Sequence, residues 1–138
     1  MIGRPRKYAE RQPCGECGRP GLVQRQWGKI YFSPICSTCK KLAVKREVLT
    51  HYGNGIAACV KCAFDNIDAL TIDHMNDDGA AHRRTLGGGR NYGGGFYYWL
   101  RARGFPVGYQ TLCFNCNGIK EVERRRLTMR QGVNKWQA

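Results

Sequence analysis

Two short stretches of this chain carry side chains that could do chemistry together. One is Asp73-His74; the other is Cys113-Phe114-Asn115-Cys116-Asn117, and a further Cys-x-x-Cys, Cys59 to Cys62, precedes the first. Four cysteines on one Zn²⁺ would draw the two stretches together and set a carboxylate, an imidazole and an amide oxygen side by side. A carboxylate and an amide oxygen suit a hard cation such as Mg²⁺, and an imidazole can act as a base. In a strongly basic chain, which attracts phosphates, the combination reads as the chemistry of a metal-dependent nuclease.

The cysteines must position these groups. All eight fall in pairs, 14/17, 36/39, 59/62 and 113/116. Two thiolates from each of two tight knuckles is what a tetrahedral zinc site requires. Cys14, Cys17, Cys36 and Cys39 have 18 residues between the inner pair, inside the usual zinc spacing. Cys59, Cys62, Cys113 and Cys116 have 50, so mixed partnering with the first four is open on spacing alone. Two self-contained structural zinc sites are the simpler arrangement. Met1 to Lys7 carries no apolar signal segment, which argues against a secreted disulfide scaffold and for a reducing cytoplasm. Four Cys-x-x-Cys pairs without a βαβ pattern argue for metal over thiol redox chemistry.

The formal charge is +13, from 23 Lys and Arg against 10 Asp and Glu. In 138 residues this points to a polyanion, nucleic acid above all, as partner. The basic residues are spread along the chain, unlike a membrane-surface helix, and no apolar run approaches a membrane span. A non-catalytic zinc-ribbon protein that binds nucleic acid is the alternative consistent with the same charge and cysteines.

The elements follow from pattern. Residues 1–12 form a basic arm in which Gly3-Arg4-Pro5-Arg6-Lys7 loosely resembles an AT-hook. Residues 13–40 form an N-terminal zinc-ribbon or knuckle module, with strands at Leu22-Val23 and Lys29–Phe32 and a turn near Gly28. Arg19, Arg25, Lys29, Lys40 and Lys41 are its candidate DNA contacts. A linking helix, part of 41–55, carries Leu42, Val48, Leu49 and Tyr52 as an apolar stripe. In the main domain, 56–130, strands at Ala69–Ile72 and Gln110–Leu112 flank a polar stretch, a glycine-rich loop over 87–95 and a helix at Phe96–Arg103 whose aromatics belong to the core. From Asn117 a helix marked by Ile119, Val122 and Met129 carries Lys120 and Arg124, candidate nucleic-acid contacts together with His82, Arg83 and Arg90; residues 131–138 are a tail. His51 has no motif around it and reads as structural. The fold class is α+β.

Cys-x-x-Cys, then Ile72-Asp73-His74, then Leu112-Cys113-x-x-Cys116-Asn117-x-x-Lys120 resembles the HNH endonucleases of ββα-metal fold, in pattern the phage-type enzymes and the recombination endonuclease VII group. The resemblance spans roughly Leu49 to Arg125. It implies a treble-clef-like domain in which Asp73 and Asn117 bind a catalytic Mg²⁺ or Mn²⁺ and His74 is the general base. It further implies that the second cysteine set holds a closed structural zinc, and that a phage-encoded protein would work in the host cytoplasm. An unperturbed imidazole, pKa about 6.5, is neutral enough for that task at pH 7. The family's final His is Asn117 here. The middle Asn that orients the catalytic His is absent from Phe105–Gln110, and Gln110, Asn91 and Asn76 are the candidates to replace it.

Overall fold

The computed structural model describes residues 11–85 and 93–133, apart from the side chains of Gln26, Arg83 and Val133. Most of the basic arm, Arg90, Asn91 and Tyr92 lie outside the described residues, and so does the side chain of Arg83. Among the described residues the chain is a small α+β protein with two two-stranded sheets and four α-helices. It divides into two compact units between Lys45 and Arg46.

In the first unit, Cys14 opens a tight loop in which the Gly18 N–H donates to the Cys14 carbonyl at 2.8 Å. Strands β1 (Val23–Gln26) and β2 (Lys29–Phe32) pair antiparallel, Val23 opposite Phe32 and Gln26 opposite Lys29. Helix α1 (Ser37–Tyr52) follows, starting inside the second knuckle and not after it as expected. The reason is a sulfur cap. The Cys39 N–H donates to Cys36 Sγ at 3.4 Å, as the third N–H of a helix donates to a Ser or Asp oxygen at an ordinary N-cap. The buried stripe of α1 also differs from expectation: Val44, Val48, Leu49 and Tyr52 are buried, whereas Leu42 is exposed.

The second unit repeats the plan. The Ala63 N–H donates to the Cys59 carbonyl at 2.9 Å, and Ala63, like Gly18, has a positive φ (60° and 70°). Strands β3 (Leu70–His74) and β4 (Tyr109–Cys113) pair antiparallel. Helix α4 (Phe114–Val133) then starts with the Cys116 N–H on Cys113 Sγ, again at 3.4 Å. Where the first hairpin has a two-residue turn, the second holds residues 75–108, including α2 (Gly79–Thr85) and α3 (Gly94–Ala102).

The core of this unit is Leu49, Cys59, Leu70, Leu112 and Cys113, flanked by Ile67, Ile72 and Tyr97. Thr111, the one buried polar side chain among the described residues, donates its hydroxyl to the Leu49 carbonyl at 2.8 Å and so ties β4 to the end of α1. The Val60 N–H donates to the Thr111 carbonyl at 3.0 Å, joining the first knuckle to the same strand. Ile119, Val122 and Met129 are exposed, so α4 is held by its first turns and not by an apolar stripe along its length. No helix among the described residues is long and apolar enough to cross a membrane.

Candidate metal centres and catalytic cleft

Each cysteine set is self-contained. Within each, the four Sγ atoms lie within 4.8 Å of one another. Cys17 and Cys36 approach to 3.6 Å, as do Cys62 and Cys113. Four sulfurs at Zn–S bonds of about 2.3 Å stand about 3.8 Å apart at the corners of a tetrahedron, so both sets could hold structural zinc. Backbone N–H groups, that of Cys36 foremost, lower the Cys14 thiol to about 6. Burial opposes ionisation of Cys59, yet N–H donors from Cys113, Cys62 and Lys61 bring it to about 6 as well. Its neighbours Cys113 and Cys62 push Cys116 up to about 12. Within each cysteine set one thiol is thus lowered, Cys14 or Cys59, and another raised, Cys39 or Cys116, a conflict that a divalent cation would remove by replacing the shared protons.

The cysteine set of the second unit ends where the candidate chemistry begins. Cys113 closes β4 opposite Leu70, and Asp73 and His74 close β3 opposite Gln110 and Tyr109. An open cleft of about 630 Å³ is walled by the end of β3, by Asp77, Gly79 and Ala80, and by one face of α4 that includes Asn117, Glu121 and Arg124. Asp73, His74 and Asn117 therefore share one cleft.

Asp73 is 11% exposed at its side chain. Its Oδ2 accepts from Gln110 Nε2 at 2.7 Å and from Lys120 Nζ at 2.7 Å. Lys120 also reaches Asp77 Oδ1 at 2.9 Å and the His74 carbonyl at 2.6 Å. Three oxygens thus converge on one ammonium. Burial works against the Lys120 charge, but Asp73 and Asp77 more than offset it and hold the group above the ordinary lysine range.

His74 is held from another direction. Its Nε2 lies 3.0 Å from His82 Nδ1. Phe96 stacks on the His74 ring at 5.9 Å between centroids, Tyr109 meets it edge-on at 4.9 Å, and Trp99 meets His82 edge-on at 4.9 Å. Phe96 and Trp99, expected in the core, instead enclose the histidine pair; Leu100 is the fully buried residue of α3. Burial and the nearby Asp78 carboxylate keep the Tyr109 hydroxyl above its usual pKa, hence protonated. Gly79 matters for space: a Cβ there would stand 3.0 Å from His74 Nδ1.

Several sequence candidates stand elsewhere than expected. Gln110 bonds Asp73 and not His74, a consequence of its register, and Asn76 is exposed in the turn after β3. Of the candidate phosphate contacts, His82 is engaged with His74, Lys120 with the two aspartates, and Arg124 forks onto Glu121 through two bonds of 2.8 Å. Arg124 and Arg125 together lower the Glu121 carboxyl to about 2. His51 stacks on Phe105 at 4.3 Å, a packing role. Sequence reasoning missed helix α2, and with it the His82–His74 contact. The available signal was Asp78 ahead of Gly79-Ala80-Ala81: its carbonyl accepts the first helical bond, from the His82 N–H, at 2.9 Å. No protein-family model, curated protein or solved structure matches this chain.

Proposed function

We propose that this chain is a metal-dependent DNA endonuclease of the HNH, ββα-metal type. The observation that carries the reading is the single cleft shared by Asp73, His74 and Asn117, framed by a hairpin and a helix whose junction is a cysteine cluster fit for zinc. Asp73 and Asn117 offer the carboxylate and amide oxygens that Mg²⁺ or Mn²⁺ accepts while keeping most of its octahedron for water and phosphate. Such a cation supplies charge neutralisation at the phosphate and at the leaving oxygen. His74 takes a proton from the attacking water. The water oxygen bonds to phosphorus, the bond to the leaving sugar oxygen breaks, and solvent protonates that oxygen. The net charge of +13 favours the polyanionic substrate. The direct test is incubation of the purified zinc-loaded protein with supercoiled plasmid and Mg²⁺, with and without EDTA. Nicked or linear DNA only in the EDTA-free arm supports the reading.

One observation favours a second reading, a zinc protein that binds nucleic acid without cutting it. The Lys120 ammonium already neutralises Asp73 and Asp77, so the carboxylates have a cation of their own. Under that reading the plasmid is bound and left intact.

A further inference from the structure

Two imidazole nitrogens at 3.0 Å share one proton, so of His74 Nε2 and His82 Nδ1 one donates and the other accepts. The choice fixes which nitrogen of His74 carries the lone pair, because the tautomer of a histidine follows from the bond its other nitrogen makes. His74 Nδ1 faces Gly79, which with Ala80 lines the cleft. A base working in that cleft needs its lone pair on Nδ1 and its proton on Nε2. The Tyr109 hydroxyl, 3.5 Å from His82 Nδ1, can donate to the same lone pair. We infer that His82 is a positioning residue: its Nδ1 accepts the Nε2–H of His74 and holds the tautomer that presents Nδ1 to the cleft. His82 thereby takes the part expected of the missing asparagine. The purpose of this bond rests on the nuclease reading; the bond itself does not.

The test is the tautomer of His74, read by ¹⁵N NMR in the full-length zinc-loaded chain, alongside single-turnover plasmid cleavage. Wild type and His82→Asn, whose amide oxygen can accept where Nδ1 did, should both show the Nε2–H form. His82→Leu should lose that preference and cleave roughly 10–100-fold more slowly, the range known for loss of partners that orient metal-site imidazoles, with DNA affinity unchanged. His82→Asn should recover most of the rate. A wild-type His74 protonated at Nδ1, or a His74 spectrum identical in His82→Leu, overturns the inference. Should His82→Leu fail to retain zinc, the wild-type and His82→Asn spectra decide. Absence of cleavage by the wild type would count against the nuclease reading only, and the tautomer would still decide this one.

A separate observation concerns the first unit. The register of β1 and β2 leaves Trp27-Gly28 as a two-residue turn, with φ of 48° and 71°. Turns of this kind favour Asn-Gly or Gly-Gly, and a bulky residue in the left-handed region is an outlier. Trp27 is also 86% exposed, so neither backbone preference nor burial accounts for it. Around it, residues 11–45 carry seven basic side chains against one acidic, Glu16. We infer that Trp27 stacks on an unpaired nucleobase while neighbouring cations such as Arg25 and Lys29 meet phosphates. This shares the nucleic-acid partner of the reading above but not its chemistry, and a chain that binds DNA without cutting it would keep it.

Trp27→Asn, a substitution that suits the turn, separates stacking from folding. Titration of single-stranded oligonucleotide into the full chain should show tryptophan quenching that is clearly smaller in the variant, which keeps Trp99 and Trp136. The variant's affinity should fall about tenfold, as for loss of one base–aromatic stack. The salt dependence should stay unchanged, since that slope counts phosphates. The loss should be smaller on intact duplex. Unchanged affinity for both forms of DNA would overturn the inference and leave the hairpin tip as a protein contact.

Discussion

Lys120 Nζ lies 2.7 Å from Asp73 Oδ2, and the same ammonium reaches Asp77 and the His74 carbonyl. A lysine three residues beyond Asn117 on α4 thus stands against the carboxylate that the nuclease reading assigns to a divalent cation. Lys120→Met should tighten Mn²⁺ binding by roughly tenfold, between the limits for a screened and an unscreened charge pair at contact. Isothermal titration of the zinc-loaded protein checks it. Equal or weaker Mn²⁺ affinity would mean that Lys120 does not compete for Asp73.

The same cluster sets a pH dependence. The folded-state pKa of Lys120 is raised, so its contribution to stability is fully present below the unfolded lysine value, about 10.4, and is lost as pH rises through the folded value. The stability gap between wild type and Lys120→Met should be constant from neutral pH to about 9 and should shrink above about 10.4. Urea unfolding across that range measures it. A gap that shrinks near neutrality would contradict the ion cluster.

Gly79→Ala isolates the space beside His74. For alanine at this first position of α2 the helix gain is less than the roughly 1 kcal/mol of an interior site, so stability should change little. Its Cβ would sit 3.0 Å from His74 Nδ1 and the imidazole must give way by a few tenths of an ångström. Cleavage should slow by about tenfold, since misplacing a reacting group by about 1 Å can cost about 10²-fold. Unchanged cleavage together with unchanged stability would show that the His74 ring is not confined from that side.

Metal analysis should find two zinc ions per chain, one for each cysteine set. Structural zinc contributes about 10–16 kcal/mol, against a net stability of about 5–15 kcal/mol for an ordinary domain. Chelation should therefore unfold the chain, seen as loss of far-ultraviolet circular dichroism. A folded chain after complete zinc removal would contradict the dependence of the fold on zinc.

The two cysteine clusters were legible because cysteine spacing encodes them, and β2 and β4 were legible from their residues and neighbouring turns. The starts of α1 and α4 were not, since the capping group is a cysteine sulfur, Cys36 or Cys113, and not one of the usual oxygen caps. Asp73, His74 and Asn117 could be named from their order around the knuckles. What holds them could not. His82 reaches His74 only because the short helix α2 folds back beside β3, and Gln110 serves Asp73 because register, not sequence proximity, places it there. The aromatics of α3 read as core by composition. Two of them enclose histidines instead, a distinction that depends on where the helix lies.

The central claim is tested most directly by His74→Ala. This substitution removes the proposed base and none of the cysteines that could hold zinc. With supercoiled plasmid and Mg²⁺, the wild type should nick or cut, and His74→Ala should be slower by about 10²–10⁴-fold, with zinc content and DNA affinity unchanged. Equal rates in the two proteins, or a wild type that binds the plasmid and leaves it intact, would contradict the nuclease assignment.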